Sequence, residues 1–310
     1  MKSARAFAPG TVANLGPGLD ILGLAVDGAG DEVRVTRVPG SGIAVEVAGP
    51  PEIPRDPERN TAGIAASEVR RRAGAADVGL SIAVRKGLPL AGGQGGSAAS
   101  AAAAAVATDA VLSAGLCRED LLAACLTAEE AVAGRHADNV AAALYGGIVL
   151  VRSMDPCDIV RLSYPAGLKI VLGEPAQQLS TGEARAVLPA AVARETAVAQ
   201  AAQVGALVAA LASGDFALLA RAVEDRIAEP ARAPLLVGFA RAKRAALEAG
   251  ALGCSISGAG PAVFAFAAGQ RQAQAIADAM VSAYRASGVE ARARVCSIEP
   301  RGARLLPGDG

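Results

Sequence analysis

The first third of the chain contains segments in which hydrophobic and polar residues alternate, the pattern of strands buried on one face. The alternation is found at 32–38, 43–47 and 80–85. Turn residues 39–42 separate the first two segments, and the prolines within 50–54 mark an irregular loop. Hydrophobic residues then recur at helical spacing, from about 60 to 72, from a glycine loop at 92–96 to about 112, and from about 118 to 132. The first half is therefore predicted to mix strands and helices.

The second half is predicted to be mixed as well. Strands are expected at 148–151, 159–162, 169–172, 254–256, 263–266 and 290–297, and helices at roughly 183–212, 215–227, 235–249 and 270–286. A length of 310 residues is about twice the usual domain size. We therefore expect an α+β protein of two domains, with a division into 1–160 and 161–310.

Composition narrows the classes of function. Hydrophobic residues make up 52% of the chain and charged residues 19%, which is enough apolar material for a core. Thirty basic side chains balance thirty acidic ones, and aromatic residues make up only 3%, with no Trp. Neither attraction to nucleic acid nor an aromatic stacking platform is therefore expected. The most apolar stretch, 98–107, is half the length of a membrane span, so no membrane insertion is expected either.

Cysteine and histidine are too sparse for a disulfide framework or a typical zinc site. The five cysteines are scattered without CxxC spacing, and no apolar signal segment follows Met1. Reduced thiols in a cytoplasmic protein are the expected state. The single histidine, His136, excludes a His-rich zinc site, and a Ser-His-Asp hydrolase would have to depend on it alone.

A glycine-rich loop before a predicted helix is the strongest local signal for chemistry. Its residues are Pro89, Leu90, Ala91, Gly92, Gly93, Gln94, Gly95, Gly96, Ser97, Ala98 and Ala99. Clustered glycines let backbone N–H groups converge on an anion, and a helix N-terminus adds positive potential, so phosphate is the expected guest. The loop differs from a P-loop because no Lys follows the glycines. The alternative interpretation is an ordinary turn in which Ser97 only caps the helix.

Two further glycine segments contain polar residues or lie between strands. Asn14 and Asp20 belong to the first, which either presents polar groups or is a turn in which both side chains cap backbone donors. The second contains Gly258 and Gly260 between two predicted strands. Alone, that pattern indicates an ordinary hairpin.

Together, the three glycine segments resemble the three motifs of the GHMP kinases (galactokinase, homoserine kinase, mevalonate kinase and phosphomevalonate kinase), in order and at similar separations. The likeness is greatest to the homoserine kinases, through residues 13–20, 135–141, 145–147, 180–185 and 229–232. Gln94 and Gly96 depart from the central motif, which usually has Leu and Ser there. The resemblance implies a two-domain α+β fold with a C-terminal ferredoxin-like half. It also implies an ATP- and Mg²⁺-dependent kinase that makes O-phosphohomoserine for threonine biosynthesis.

The resemblance assigns a set of residues to the substrate. The expected substrate-binding residues are Asn14, Asp20, His136, Asn139, Thr181, Arg185 and Arg232. Arg185 and Arg232 would bind the carboxylate of homoserine, since a guanidinium fork matches a carboxylate. Asp20 would take the ammonium group.

Catalysis and metal binding are assigned in the same way. The expected catalytic residues are Asn14, Ser97, Glu130 and Asn139. Ser97 and Glu130 would hold Mg²⁺, with Glu129 as the alternative acid. The general base stays open: Asn139 is an amide and Asp138 is its neighbour, while the resemblance implies direct attack with the proton passing to phosphate. Near the nucleotide, the resemblance places Asn60, Gly258, Gly260 and the loop 89–99, although a helix cap explains Asn60 equally well.

Other functions and assemblies stay open at this point. A GHMP-type kinase of another small alcohol, such as threonine, mevalonate or a sugar, is one alternative. A non-catalytic nucleotide-binding relative is another, because Gln94 and Gly96 alter the central motif. Homoserine and ATP are the expected small-molecule partners, and a homodimer is an assembly that the sequence neither requires nor excludes.

Overall fold

Two β-sheets and the helices packed on them make up the computed structural model, which describes residues 2–307. The strands within this range are β1 Ser3–Ala13, β2 Leu22–Val38, β3 Ile43–Ala48, β4 Gly79–Arg85, β5 Ile148–Met154, β6 Cys157–Leu162, β7 Lys169–Pro175, β8 Cys254–Ile256, β9 Val263–Ala267, β10 Ala291–Ser297 and β11 Arg304–Leu305. The helices are α1 Thr61–Arg72, α2 Gly96–Leu112, α3 Arg118–Ala133, α4 Asp138–Tyr145, α5 Thr181–Ala186, α6 Arg194–Ser213, α7 Phe216–Ala222, α8 Ala228–Arg232, α9 Phe239–Glu248 and α10 Gln270–Arg285.

The first sheet has seven strands. Its main path is β11-β1-β2-β4-β3, and β5 joins it by pairing with both β2 and β6. The pair β3–β4 is parallel, whereas the other pairs are antiparallel. The sequence pattern did not predict β1, and it predicted only the second half of β2. Both strands carry small residues and glycines there, and their register shifts between Pro9 and Gly10, which obscures the alternation.

The second sheet confirms the predicted ferredoxin-like half. Its four antiparallel strands have the order β10-β7-β9-β8. Helices α5–α9 lie between β7 and β8 in the chain, and α10 lies between β9 and β10. This is the βαββαβ arrangement of that fold, and the whole chain is α+β as expected.

Three of the predicted helices are shorter than expected. The segment 183–212 is divided between α5 and α6, because Pro189 lies between them and cannot continue a helix. The segment 215–227 ends early at Ala222. Beyond it, the Asp225 carboxylate accepts hydrogen bonds from the backbone N–H groups of 227–229 and so begins α8. The third, α9, begins only after Gly238, which has a φ of +83°.

The alanine-rich helix α2 forms the centre of the N-terminal core. Eight of its alanines, Ala98, Ala99, Ala101–Ala105 and Ala107, are buried. Small side chains let α2 approach β1, β2 and α1 closely while burying apolar surface. This helix carries the phosphate loop at its N-terminus, so the packing fixes the position of the loop.

Helix α6 is the one helix within residues 2–307 that is long and apolar enough to cross a membrane by length and composition alone. In this fold it packs through Leu207 and Leu211 into the core beside β6 and α7. Only 22% of its apolar stretch is buried in this fold, and a single such helix is by itself weak evidence for a membrane span. Strand β6 continues to Leu162, and the division into 1–160 and 161–310 stays a prediction.

Candidate active site

A cavity of about 490 Å³ brings the three glycine segments together. Of the residues predicted for a site, the cavity is lined by Asn14, Asp20, Asn60, Pro89–Ser97, His136, Asn139, Thr181, Arg185, Arg232, Gly258 and Gly260. Three predicted residues are not among its lining: Ala98 and Ala99 are buried inside α2, and Glu130 lies on the exposed face of α3. Residues from both halves of the chain therefore meet in one cavity.

The glycine loop is held in a conformation that only glycine adopts easily. Gly93 and Gly95 have φ values of +70° and +64°. A β-carbon on Gly95 would overlap Thr11 Oγ1 and lie 2.8 Å from Asn139 Oδ1. Ser257 Oγ donates a 2.6 Å hydrogen bond to the Gly93 carbonyl, so the third glycine segment lies directly against the loop. This close packing turns the loop toward the cavity at the start of α2.

Ser97 is not the cap of α2. The N-cap is Gly95, which makes no side-chain hydrogen bond, and the helix begins at Gly96. The amide groups of the first turn therefore stay open to an anion at the positive end of the helix dipole. Ser97 instead donates a 2.9 Å hydrogen bond to Glu129 Oε2.

The acid opposite Ser97 is Glu129, which corrects our choice of Glu130. Adjacent residues of a helix point about 100° apart, so only one of the two can face the cavity. Glu129 is 6% exposed. Burial raises its pKa to about 7, against the lowering effect of the hydrogen bond from Ser97. The pair supplies one hydroxyl and one carboxylate oxygen, which are ligands that Mg²⁺ prefers.

The loop between β1 and β2 carries Asn14 and Asp20 into the cavity. Both residues have left-handed backbones, with φ values of +70° and +61°. Asn14 Oδ1 accepts from the Asp20 backbone N–H at 3.1 Å, and its Nδ2 donates to the Gly258 carbonyl at 2.9 Å. Asn14 therefore does cap a local turn, and it also ties this loop to the third glycine segment.

Two arginines and two acids converge at one end of the cavity. The Arg185 guanidinium donates to both Asp20 oxygens, at 2.6 and 3.3 Å. Its Nε is buried and has no partner within the described residues. Arg232 is 3% exposed and donates to the carbonyls of residues 184 and 258; burial, and then the charge of Arg185, lower its pKa. Buried Asp138 has its pKa raised to about 7 by burial and then by the charge of Asp20.

This end of the cavity can bind both signs of charge. An anion between the guanidinium groups of Arg185 and Arg232 would relieve their repulsion. A cation between the carboxylates of Asp20 and Asp138 would relieve the repulsion between these two acids. We had expected Asp20 to be free for an ammonium group, but in this structure it is already paired with Arg185. Sequence analysis did not assign Asp138 a binding role.

Three other predicted residues lie at the rim or in the wall. Burial lowers the pKa of His136, whose Nδ1 is 3.8 Å from Asp20 Oδ1. Asn139 Oδ1 accepts a 2.6 Å hydrogen bond from Thr11 Oγ1, so its amide is fixed beneath the glycine loop. Thr181 is the first residue of α5.

Asn60 acts as a helix cap. Its Oδ1 accepts from the backbone N–H groups of Ala62 and Gly63, at 2.9 and 3.4 Å, and its Nδ2 donates to the Pro54 carbonyl at 2.6 Å. It also lines the cavity, so a contact with a nucleotide stays a prediction.

The sequence analysis missed a lysine beneath the glycine loop. Lys86 forms a buried ion pair with Asp31 and donates to the Gly96 carbonyl at 2.8 Å and to Ser100 Oγ at 3.0 Å. Asp31 also accepts from the backbone N–H of Gly87 at 3.0 Å. The lysine directly follows β4 and so precedes the glycines, whereas the lysine of a P-loop follows them.

Within residues 2–307, no group of three or more His, Cys, Asp or Glu side chains is arranged to hold a metal. The Ser97–Glu129 pair offers one hydroxyl and one carboxylate, fewer donors than the octahedral shell of Mg²⁺ requires. It does suit Mg²⁺ that arrives with phosphate oxygens as its other ligands.

Comparisons with known proteins agree with the glycine motifs. The profiles for the GHMP kinases N terminal domain and the GHMP kinases C terminal match residues 60–147 and 207–286. A homoserine kinase of Arabidopsis thaliana is 44% identical over 98% of this chain and 85% of its own length. One of Chloroherpeton thalassium is 40% identical over 99% of this chain and 100% of its own.

A solved structure gives the same result in three dimensions. The crystal structure of homoserine kinase from Cytophaga hutchinsonii is 40% identical to this chain and superimposes with a TM-score of 0.95. The match covers 99% of this chain and 98% of that one. Both the predicted family and its fold are thereby confirmed. The chain belongs to the GHMP kinases, and among them to the homoserine kinase family.

Proposed function

We propose that this protein transfers the γ-phosphoryl group of ATP to the hydroxyl of L-homoserine, giving O-phospho-L-homoserine for threonine biosynthesis. The observation that carries the proposal is the division of one cavity into two chemically different ends. One end has the glycine loop, the start of α2 and the Ser97–Glu129 pair. The other has Arg185 and Arg232 beside two acids, which suits a small zwitterion.

The acceptor end supports an amino acid rather than a neutral alcohol. Homoserine carries a carboxylate, an ammonium group and a primary hydroxyl. The carboxylate would bind the guanidinium groups of Arg185 and Arg232, whose planar forks match it. The ammonium group would lie between Asp20 and Asp138. Mevalonate and galactose lack an ammonium group and would offer no cation to Asp138, whereas Asp20 would keep only its pairing with Arg185.

The nucleotide end supports a phosphate chain. The amide groups of 93–97 and the positive end of α2 would bind its oxygens, with Gly258 and Gly260 closing the other side. Buried Lys86, whose charge is balanced by Asp31, bonds to the Gly96 carbonyl and to Ser100 and so holds the start of α2 in place. Leu90 of the loop and Val132 of α3 are apolar side chains that line the cavity, and they would contact the base together with Asn60.

Magnesium fits the donor atoms beside the loop. Ser97 Oγ and the Glu129 carboxylate would hold the ion together with phosphate oxygens. When bound, the ion neutralises charge on the phosphate oxygens during transfer. Glu129 then contributes as the charged form, which binding of a cation favours over the protonated one.

The hydroxyl proton is proposed to leave with the transferred phosphoryl group. Asn139 is an amide and cannot accept a proton usefully, and its Oδ1 is already bonded to Thr11. His136 has a lowered pKa and so is a weak base. Phosphoryl transfer depends chiefly on positioning and charge neutralisation, so a strong base is not required. Asn14 and Asn139 would orient the reacting oxygens.

A coupled assay of ADP release tests the proposal most simply. L-Homoserine, L-threonine, mevalonate and galactose are compared as acceptors at fixed ATP and Mg²⁺. Homoserine is expected to give the highest kcat/KM by at least about tenfold, as losing one good charged contact costs about 1.5–3 kcal/mol. A preference for mevalonate or galactose would contradict the assignment of the acceptor end. No ADP release with any acceptor would support a non-catalytic relative instead.

Because the cysteines are scattered and unpaired, we also propose a cytoplasmic location.

A further inference from the structure

Gln94 is a polar residue in the phosphate loop at the position where the central motif of the family usually has Leu. Its side chain is only 2% exposed. A buried primary amide is costly unless both its oxygen and its nitrogen have partners. The partners of Gln94 therefore show what the substitution does in this chain.

Both ends of the Gln94 amide are bonded to the C-terminal sheet. Nε2 donates to Glu174 Oε1 at 3.0 Å, and Oε1 accepts from Arg294 Nη2 at 2.7 Å. Arg294 Nε closes the ring by donating to Glu174 Oε1 at 3.0 Å. Arg294 Nη1 also donates to the Asp27 carbonyl at 3.0 Å. We refer to Gln94, Glu174 and Arg294 as the glutamine clamp.

The register of two strands explains why these groups meet. Glu174 lies on β7 and Arg294 on the neighbouring strand β10, where Arg294 pairs with Leu172 and Arg292 with Glu174. Side chains two residues apart share a face, so Glu174 and Arg294 are diagonal neighbours on one face of the sheet. That face packs toward the N-terminal half through Leu172. Neither Glu174 nor Arg294 lines the cavity itself.

Gln94 also lies between two glycines, where the backbone of the loop has the most conformational freedom. Its neighbours Gly93 and Gly95 both have left-handed backbones, and glycine loses more conformational freedom on ordering than any other residue. A side chain anchored between them removes that freedom before a ligand arrives. Ordering a loop in advance lowers the cost of binding.

We propose that the glutamine clamp positions the phosphate loop, so that nucleotide affinity depends on two residues of the ferredoxin-like sheet that do not touch the nucleotide. The inference rests on the proposed function, because the guest of the loop is taken to be ATP. Gln94 is then a replacement for Leu that exchanges apolar packing for a fixed polar link between the two halves of the chain.

Arg294→Met and Gln94→Leu, singly and together, test the clamp. Affinity for a non-hydrolysable ATP analogue with Mg²⁺ is measured by calorimetry, alongside kcat, both KM values and Tm. Each single variant is expected to weaken analogue binding by about three- to tenfold, while the KM for homoserine changes less than twofold. The double variant should be no weaker than the worse single variant, because both changes break the same link. Arg294→Lys, which keeps the cation, should recover part of the affinity.

Arg292→Met is the matched control. Arg292 lies on the same strand and bonds to the other oxygen of Glu174, at 2.6 Å, but makes no bond to Gln94. Its side chain is 78% exposed, and its removal should leave analogue binding unchanged. Hydrogen exchange of the loop amides adds a second readout: faster exchange over 92–97 is expected in Arg294→Met and Arg294→Lys but not in Arg292→Met.

The outcomes separate the clamp from the proposed function. A wild-type protein that binds the analogue, with Arg294 variants that bind equally well, would overturn the clamp alone. Arg294 variants with a lower Tm but unchanged affinity for the analogue would also overturn the clamp, because the contacts would then stabilise the fold without affecting nucleotide binding. Equal effects of Arg292→Met and Arg294→Met would overturn it by showing a general effect of charge. A wild-type protein that binds no nucleotide would overturn both the clamp and the proposed kinase.

Discussion

Replacing Glu129 with Gln is expected to stabilise the ligand-free protein at alkaline pH while weakening its use of Mg²⁺. Burial raises the pKa of this carboxyl from its usual 4.5 to about 7. At about 1.4 kcal/mol for each tenfold change in proton affinity, keeping the charge buried costs about 3 kcal/mol above pH 7. Gln has nearly the same size and can still bond to Ser97, but it carries no charge.

The pH dependence has a defined sign. The folded-state pKa lies above the unfolded-state value, so the cost is complete above about pH 7, shrinks as the pH falls and vanishes below about 4.5. Glu129→Gln should therefore gain roughly 2 kcal/mol more in unfolding free energy, relative to wild type, at pH 8 than at pH 5. Urea unfolding at several pH values measures this difference.

The neighbouring acid provides the control. Glu130→Gln changes the exposed residue of the same helix turn, so its effect on stability should be small. In the coupled assay, Glu129→Gln should need at least about tenfold more Mg²⁺ for half-maximal rate, and Glu130→Gln should not. Equal pH profiles for the two variants, or a Mg²⁺ defect only in Glu130→Gln, would refute the assignment of Glu129.

Three other predictions follow from the site. Ser97→Ala is expected to lower kcat in the coupled assay by about tenfold or more. If the variant is less stable but has an unchanged kcat, the Ser97 hydroxyl has only a structural role. Gly95→Ala should lose more than about 1 kcal/mol of stability by urea unfolding, because its β-carbon would overlap Thr11 at a positive φ. Gly96→Ala should cost less, because Gly96 has no positive φ and the nearest atom to its β-carbon, Lys86 Nζ, would lie 3.3 Å away. At saturating ATP and Mg²⁺, the KM for homoserine should rise as the pH falls below about 7, where Asp138 takes up a proton, and Asp138→Asn should abolish that rise.

Local patterns predicted the parts of the site that depend on backbone conformation. Clustered glycines before a helix predicted the phosphate loop, and Gly93 and Gly95 have left-handed backbones there. The β8–β9 hairpin and the strands β3 and β4 followed from alternation and turn residues. These features depend on neighbours in the chain, so the sequence contains the information directly.

Contacts between distant segments were not predictable in the same way. The choice between Glu129 and Glu130 depends on the rotation of α3 against α2, which no local pattern specifies. The pairing of Arg185 with Asp20 joins residues 165 positions apart. Lys86 and Asp31 likewise meet only because β2 and β4 are neighbours in the sheet. Asp138 became a candidate binding residue only because it is buried beside Asp20, which raises its pKa. That environment exists only in the folded chain.

The central claim about the acceptor is that Arg185 and Arg232 bind the carboxylate of homoserine. Comparing L-homoserine with its amide tests this claim most directly. The measurement is kcat/KM for both acceptors in wild type and in Arg232→Ala, with nucleotide affinity followed separately by calorimetry. Wild type is expected to prefer homoserine, and Arg232→Ala should lose roughly 30-fold in kcat/KM for homoserine, as for a charge-assisted bond of about 2 kcal/mol, while changing little for the amide. Nucleotide affinity should stay the same. Equal losses of kcat/KM for homoserine and its amide in Arg232→Ala would contradict the account, because Arg232 would then not bind the carboxylate.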